Sequence, residues 1–298
     1  MNTSICLGTV QFGADYGITN KSGKVSEKLV KNILVHAEKN NIKYLDTAQS
    51  YGDAEEVLGR IKKRDSRFKI ISKLSSLENL DITKETINKL EKRFNKTLNN
   101  LECKSIYSFL IHNSNDLKRK NSDLLFEWLE SLLKRSLVKK IGLSIYDLKE
   151  LEEIPIKKIN LIQLPLSIYN QNALKDGYLR KLSEEGILIH ARSVFLQGLL
   201  LNSSKSWPKY FSEEFKKHHL KTELLSKEME ISLLDLCLGF IKKLPFLDSL
   251  VIGVTSMEEL NQIIYSWNKE NLDFANIDFN KLSWNNTYDL DPRNWTNK

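Results

Sequence analysis

Short apolar runs rich in β-branched residues alternate along the chain with longer stretches in which apolar positions return every three or four residues. The short runs predict strands at Ile5–Thr9, Ile42–Asp46, Phe68–Ser72, Ser105–Ile111, Lys139–Ser144, Leu161–Leu164, Ile187–Ala191 and Ser249–Gly253. The longer stretches predict helices, among them Ser26–Asn40, Ile82–Asn99, Ser122–Ser136, Ala173–Glu185 and Met257–Trp267. Ser26 before Glu27, and Asp81 ahead of Glu85, offer side-chain acceptors for the unpaired N–H groups of a first helical turn. A strand–helix alternation of this kind builds βα units around a parallel sheet, and eight strands predict an α/β fold of the closed (β/α)8 TIM-barrel type. A doubly wound nucleotide fold would want GxGxxG after its first strand. The turn here, Gly8-Thr9-Val10-Gln11-Phe12-Gly13, lacks that pattern.

Composition narrows the picture without changing it. A chain of 298 residues at 41% hydrophobic can bury one large core, and its 5 prolines and 12 glycines are scattered rather than gathered into a linker, so a single domain over residues 1–298 is expected. No stretch approaches the roughly 20 apolar residues that cross a bilayer, and Met1-Asn2-Thr3-Ser4 opens without the charged and apolar regions of an export signal, so no membrane partner is expected. Cys6, Cys103 and Cys237 are odd in number, far apart and without CxxC spacing. They predict neither a disulfide framework nor a metal site, and they fit a reducing cytoplasm. The net charge of +7 is carried by lysines interleaved with glutamates, as in Lys84-Glu85 and Glu91-Lys92-Arg93, which reads as a solvated face and not a nucleic-acid surface. The surplus would help to draw in an anionic substrate or cofactor.

Candidate chemistry gathers at the predicted strand ends, the active face of such a barrel. In Asp46-Thr47-Ala48-Gln49-Ser50-Tyr51-Gly52 a carboxylate closes strand two, with a tyrosine five residues on. Strand three runs into Lys73 and strand four into His112. A phenol of pKa about 10 is a poor acid catalyst unless a cation favours its anion, and the cation needs a carboxylate to hold it. Taken singly, Tyr51 also fits a turn aromatic, Asp46 a helix cap near Asp53, Lys73 a snorkelling surface cation and His112 a structural histidine. Neither His36 nor His190 has a comparable context. The first reads as helix surface, and the pair His218-His219 as part of a polar loop.

Asp46, Tyr51, Lys73 and His112, in this order and with the DTAxxYG segment, resemble the catalytic tetrad of the aldo-keto reductases, and the likeness runs from Gly8-Thr9 to Gly253-Val254-Thr255-Ser256. The resemblance implies an oxidoreductase that interconverts a carbonyl and an alcohol using NADP(H) or NAD(H). It makes Tyr51 the general acid/base, Lys73 its cationic neighbour, Asp46 the partner of Lys73, and His112 the group that orients the carbonyl oxygen. Thr9, Ser144 and Gln163 fall at implied cofactor positions, the last two at the nicotinamide carboxamide, although Ile145 stands where many members have asparagine. Arg192 takes the place of a ring-stacking tyrosine; its guanidinium can stack on an aromatic ring, disfavour a cationic one or engage an anionic substrate. Ser193, Gln197 and Gly198 match the stretch that wraps the pyrophosphate.

At the last strand, Gly253, Thr255 and Glu259 match the adenosine 2′-phosphate site. Gly253 and Glu259 replace the lysine and arginine frequent in NADPH-preferring members, which predicts weak discrimination against NADH. The opening and closing segments, Gly8–Asn20 and Asp291–Trp295, resemble bacterial members associated with sugar and surface-polysaccharide metabolism, and so imply a sugar-derived carbonyl as the small-molecule partner. Gln11, Tyr16, Trp207 and Trp295 are the expected residues of the substrate mouth. A second class remains open on the resemblance alone, that of a nucleotide-binding regulatory module with little turnover.

Overall fold

In a computed structural model, eight strands close through parallel pairing alone: β1 (Ser4–Gly8), β2 (Tyr44–Asp46), β3 (Lys69–Leu74), β4 (Ile106–Ile111), β5 (Val138–Ser144), β6 (Leu161–Pro165), β7 (Leu188–Arg192) and β8 (Ser249–Gly253). Sequential order holds around the barrel, and β8 returns to β1 in a register running from Ser4↔Ser249 to Gly8↔Gly253. The structure describes residues 3–63, 66–77, 81–270, 274 and 276–295. Helices on the outside make this a single (β/α)8 barrel domain.

Strand alternation sorts the apolar residues into two cores. Cys6, Ile71, Leu110 and Leu161 meet in the barrel interior, joined by Tyr44, Leu188 and Val251. Their chain neighbours Leu7, Ile70, Phe109 and Ile162 belong instead to the larger layer between sheet and helices. The same period of two carries the inner face upward to the C-terminal strand ends: Tyr44 to Asp46, Ile71 to Lys73, Leu110 to His112, Leu161 to Gln163, and Leu188 through His190 to Arg192.

Several elements depart from the sequence expectation. β3 reaches Leu74, so Lys73 lies within the strand, in register with Leu110, and does not follow its end. Ser26 does cap the helix Glu27–Lys39. Thr83 caps Lys84–Asn100, however, accepting from Thr86 N–H at 3.1 Å, where Asp81 was expected. The helix expected over Ala173–Glu185 is a 3-10 turn, Asn172–Leu174, followed by Tyr178–Glu184, because Gly177 sits between them at φ 65° and breaks the ladder. Glu213–Glu228 and Leu233–Lys242 are additional helices, opened by Ser212 and Ser232 caps.

The His218-His219 pair lies on the first of these helices and not in a polar loop. His219 is wholly buried; its Nδ1 is 2.6 Å from the Tyr169 hydroxyl and its Nε2 2.9 Å from the Asn202 carbonyl, so it ties the segments after β6 and β7 together. Trp207 and Trp295 are packing residues, not part of a mouth. Both rings contact Phe211, and their Nε1–H groups donate to the Leu199 and Asp289 carbonyls. No helix among the described residues is long and apolar enough to cross a membrane.

Candidate active site

Asp46 and Lys73 come from adjacent strands and point into the barrel top, where both are buried. Lys73 Nζ donates to Asp46 Oδ1 at 2.5 Å and to the Thr47 carbonyl at 3.0 Å, and it stands 3.4 Å from the Tyr51 hydroxyl. Gln163 Nε2 donates to the other carboxylate oxygen, Asp46 Oδ2, at 2.7 Å. Tyr51 and His112 meet edge to face with ring centroids 6.0 Å apart, and Ser50 Oγ lies 3.4 Å from His112 Nδ1.

The segment carrying Tyr51 is tied down on both sides. Gln49 N–H donates to the Lys73 carbonyl at 3.1 Å, and Gln49 Oε1 accepts from Ser75 N–H at 3.2 Å. Thr9 donates to the Asp46 carbonyl from both its N–H, at 2.9 Å, and its hydroxyl, at 3.0 Å. Gly13 and Gly52 let two backbones touch. A Cβ on Gly13 would come 2.0 Å from the Tyr51 carbonyl oxygen, and Gly52 combines φ 58° with a Cβ direction that ends 2.2 Å from the Gly13 carbonyl oxygen. No L side chain fits either place.

The electrostatics follow from burial. Burial works against the Lys73 charge, but Asp46 and Tyr51 more than offset it, so the ammonium is held above the ordinary lysine range. Burial lifts the Tyr51 hydroxyl, and Lys73 pulls in the opposite direction without cancelling the rise. The expectation that Lys73 lowers Tyr51 is thus met in sign, whereas the net displacement is upward. His112 is pushed down to about 3 by burial and by the charges of Lys73 and Arg192, so near neutrality its ring is an uncharged donor and acceptor.

His190, with a comparable pKa of about 3, lies below the site in the barrel interior; burial and then the Lys73 charge depress it. Its Nδ1 has no hydrogen-bond partner. Such a group is protonated in the unfolded chain below its unfolded pKa of about 6.5 but stays neutral when folded. The unfolded state therefore binds more protons between about pH 6.5 and 3, and stability falls as the pH is lowered through that window. Urea unfolding should show His190→Gln losing about 2 kcal/mol less than the parent between pH 7 and pH 5. Equal losses would mean that His190 titrates normally in the fold.

Above these residues opens a cavity of about 550 Å³. Its reacting end is lined by Tyr51, His112, Tyr16 and Arg192, and it continues past Thr9, Gln11, Ser144, Gln163, Ser193, Gln197 and Gly198 to Gly253, Thr255 and Glu259. Of the expected site residues, Trp207, Trp295 and Lys73 do not line it; Lys73 reaches it through Asp46 and Tyr51. Tyr146, Lys21 and Gln262 also line it and were not singled out from the sequence. For Tyr146 a signal existed, since an aromatic two residues beyond Ser144 points the same way from the strand end.

Gln197 is also latched to the loop after β1. Ile18 N–H donates to Gln197 Oε1 at 2.9 Å, the Thr19 hydroxyl donates to the Gln197 carbonyl at 2.7 Å, and Gln197 Nε2 donates to the Tyr16 hydroxyl at 3.0 Å. At the far end, Glu259 folds back over its own helix start. Its carboxylate accepts from Thr255 N–H at 2.6 Å and from the Thr255 hydroxyl at 3.1 Å.

Among solved structures, the chain is similar to an aldo-keto reductase of Bacillus halodurans in its holo form, at 16% identity and a TM-score of 0.71 over 94% of this chain and 90% of that one. It is also similar to a thermostable aldo-keto reductase bound to the inhibitor epalrestat, at 20% identity and a TM-score of 0.69 over 93% and 94%. A third is the glycerol dehydrogenase of Gluconobacter oxydans, at 18% identity and a TM-score of 0.67 over 90% and 87%. At these identities the likeness is one of fold. No curated protein matches by sequence. The sequence profile described as the aldo/keto reductase family matches residues 4–279, from β1 past the last barrel helix. A (β/α)8 barrel with Asp46, Tyr51, Lys73 and His112 converging at its C-terminal end, matched by that profile over nearly all its length, belongs to the aldo/keto reductase family of NAD(P)(H)-dependent oxidoreductases.

Proposed function

We propose that this chain interconverts a sugar-derived aldehyde or ketone and the corresponding alcohol, with Tyr51 as the general acid in reduction and the base in oxidation. The observation that carries this reading is the position of Lys73 Nζ, which reaches Asp46 and the Tyr51 hydroxyl together, beside a neutral His112. His112 donates a ring N–H to the carbonyl oxygen and orients it, and Tyr51 delivers its proton to that oxygen as negative charge develops. Lys73 stabilises the tyrosinate left behind, and Asp46 holds Lys73 with Gln163 as a second restraint. A bound nicotinamide supplies or accepts the hydride.

The cavity fits such a cofactor. Ser144 and the Gln163 side-chain oxygen suit a carboxamide, and the buried Gln11 Oε1, without a partner beside Gly253, suits a hydroxyl donor. The sugar assignment is supported by the polar residues Gln11, Asn20 and Ser22 lining the cavity and by a structural neighbour named a glycerol dehydrogenase, an enzyme of a polyol. The free cysteines fit a cytoplasmic setting. A panel of sugar aldehydes and ketoses with both nicotinamides tests the proposal. Turnover of at least one carbonyl is expected; tight cofactor binding with no turnover on the whole panel would point to a binding module instead.

Cofactor preference follows from Glu259, whose carboxylate occupies the Thr255 N–H that a 2′-phosphate would otherwise meet. The parent should discriminate only weakly against NADH, and Glu259→Arg should move the ratio towards NADPH by about tenfold or more, the worth of one charge-assisted contact. A parent preference for NADPH of about 100-fold at fixed ionic strength would contradict this reading.

A further inference from the structure

Arg192 ends β7 on the inner face of the barrel and lines the reacting end of the cavity together with Tyr51, His112, Tyr16 and Tyr146. Its guanidinium lies 4.2 Å from the Tyr146 ring centroid, donates from Nη2 to the Ile145 carbonyl at 3.0 Å, and stands with Nη1 3.4 Å from Ser193 Oγ. These contacts fix its plane. None of them neutralises it. The carboxylate that its charge reaches, Asp291, is held by Arg293, which grips it through Nε and Nη2 at 2.6–3.0 Å and stacks 3.5 Å from the same Tyr146 ring. The carboxylates that line the cavity are also engaged, Asp46 with Lys73 and Glu259 with Thr255. Among the described residues, Arg192 has no ion-pair partner, although its charge is felt by Asp291 as well as by Tyr16, Tyr51 and His112.

A half-buried guanidinium without a counter-ion is costly to keep unless something pairs with it in use. Its planar fork matches an oxyanion through two parallel N–H donors, a recognition that an ammonium cannot reproduce. We infer that Arg192 receives a carboxylate or phosphate of the substrate, carried a few atoms from the carbonyl that faces Tyr51 and His112. The substrate class is then an anionic aldehyde or ketone, such as a sugar acid or a sugar phosphate, and Arg192 is the residue that selects it. The inference rests on the carbonyl chemistry proposed above and deepens it.

The test compares charged and neutral partners of one shape. For the carboxylate arm these are 4-carboxybenzaldehyde and methyl 4-formylbenzoate; for the phosphate arm, glyceraldehyde 3-phosphate and glyceraldehyde. The parent should show a higher kcat/KM for the charged member of at least one pair, and the arm with the larger ratio identifies the anion. Arg192→Met, which keeps a stem of similar length against Tyr146, should lower that charged-to-neutral ratio by about 10–100-fold, the range for a lost charge-assisted contact. Using a ratio cancels any general loss of activity.

Two results would overturn the inference. One is a parent ratio near one in both arms. The other is an unchanged ratio in Arg192→Met, and weaker NADH binding by fluorescence titration in that variant would then assign the guanidinium to the dinucleotide. Should no aldehyde be reduced at all, the failure belongs to the proposed chemistry. Calorimetric binding of 4-(hydroxymethyl)benzoate against its methyl ester, in both proteins with NAD+ present, then decides the role of Arg192 without turnover: a carboxylate preference lost in Arg192→Met supports it, and no preference refutes it.

Discussion

Tyr51→Phe should reduce carbonyl turnover by about 10²–10⁴-fold while leaving cofactor affinity within a few-fold, because on the proposed assignment the hydroxyl supplies the proton and adds little to dinucleotide binding. The fold should survive. The aromatic ring stays against His112, and the lost contact is one hydroxyl 3.4 Å from Lys73. Lys73 keeps its 2.5 Å pairing with Asp46, so no buried charge is stranded. Steady-state reduction of an activated aldehyde such as a nitrobenzaldehyde, read beside a fluorescence titration with cofactor, separates the two effects. A variant that retains more than about a tenth of the parent rate would remove Tyr51 from the role of acid.

The second large effect concerns Lys73 and Asp46 as a coupled pair. Their side chains are only 1% and 4% exposed, so Lys73→Met leaves an uncompensated carboxylate and Asp46→Asn an uncompensated ammonium, each expected to cost about 3–5 kcal/mol of stability. Removing both charges strands neither, and the double variant should be less destabilised than the sum of the singles. Catalysis carries its own signature. Lys73 opposes the upward displacement that burial imposes on Tyr51, so without it the tyrosine ionises at higher pH, and the rising limb of alcohol oxidation should move to higher pH. Asp46→Asn acts mainly through the position of the lysine, and because the Asp46 charge itself raises the Tyr51 hydroxyl, its loss opposes that effect and the limb should move less than in Lys73→Met. Strict additivity of the two losses, in stability and in ΔΔG‡, would refute the coupling.

The repeating unit was legible in the sequence because a buried parallel strand writes a continuous apolar run and its helix an apolar stripe. Eight runs therefore suffice to predict eight strands. The candidate site was legible for a related reason: a strand end fixes which residue turns inward, so Asp46, His112 and Gln163 can be placed on one face by counting in twos. Boundaries were less legible. The apolar run predicts a strand that stops at Ser72, yet Lys73 sits inside β3, its charge compensated by Asp46. Gly177 split a helix that periodicity alone continued, and His219 entered a core because a Tyr169 hydroxyl and an Asn202 carbonyl, both distant in sequence, satisfied its ring.

The sequence by itself therefore determined the barrel, its eight-fold alternation and the set of polar groups at its open end, since each of these depends on local period and residue type. Only the tertiary structure decided which groups are neutralised and which are not. Gln163 serves Asp46, Glu259 serves Thr255 and Asp291 serves Arg293, which leaves the Arg192 charge facing the cavity. The physical reason is that charge compensation acts over a few ångströms between side chains far apart in the chain, and no local pattern of hydrophobic and polar residues encodes those distances.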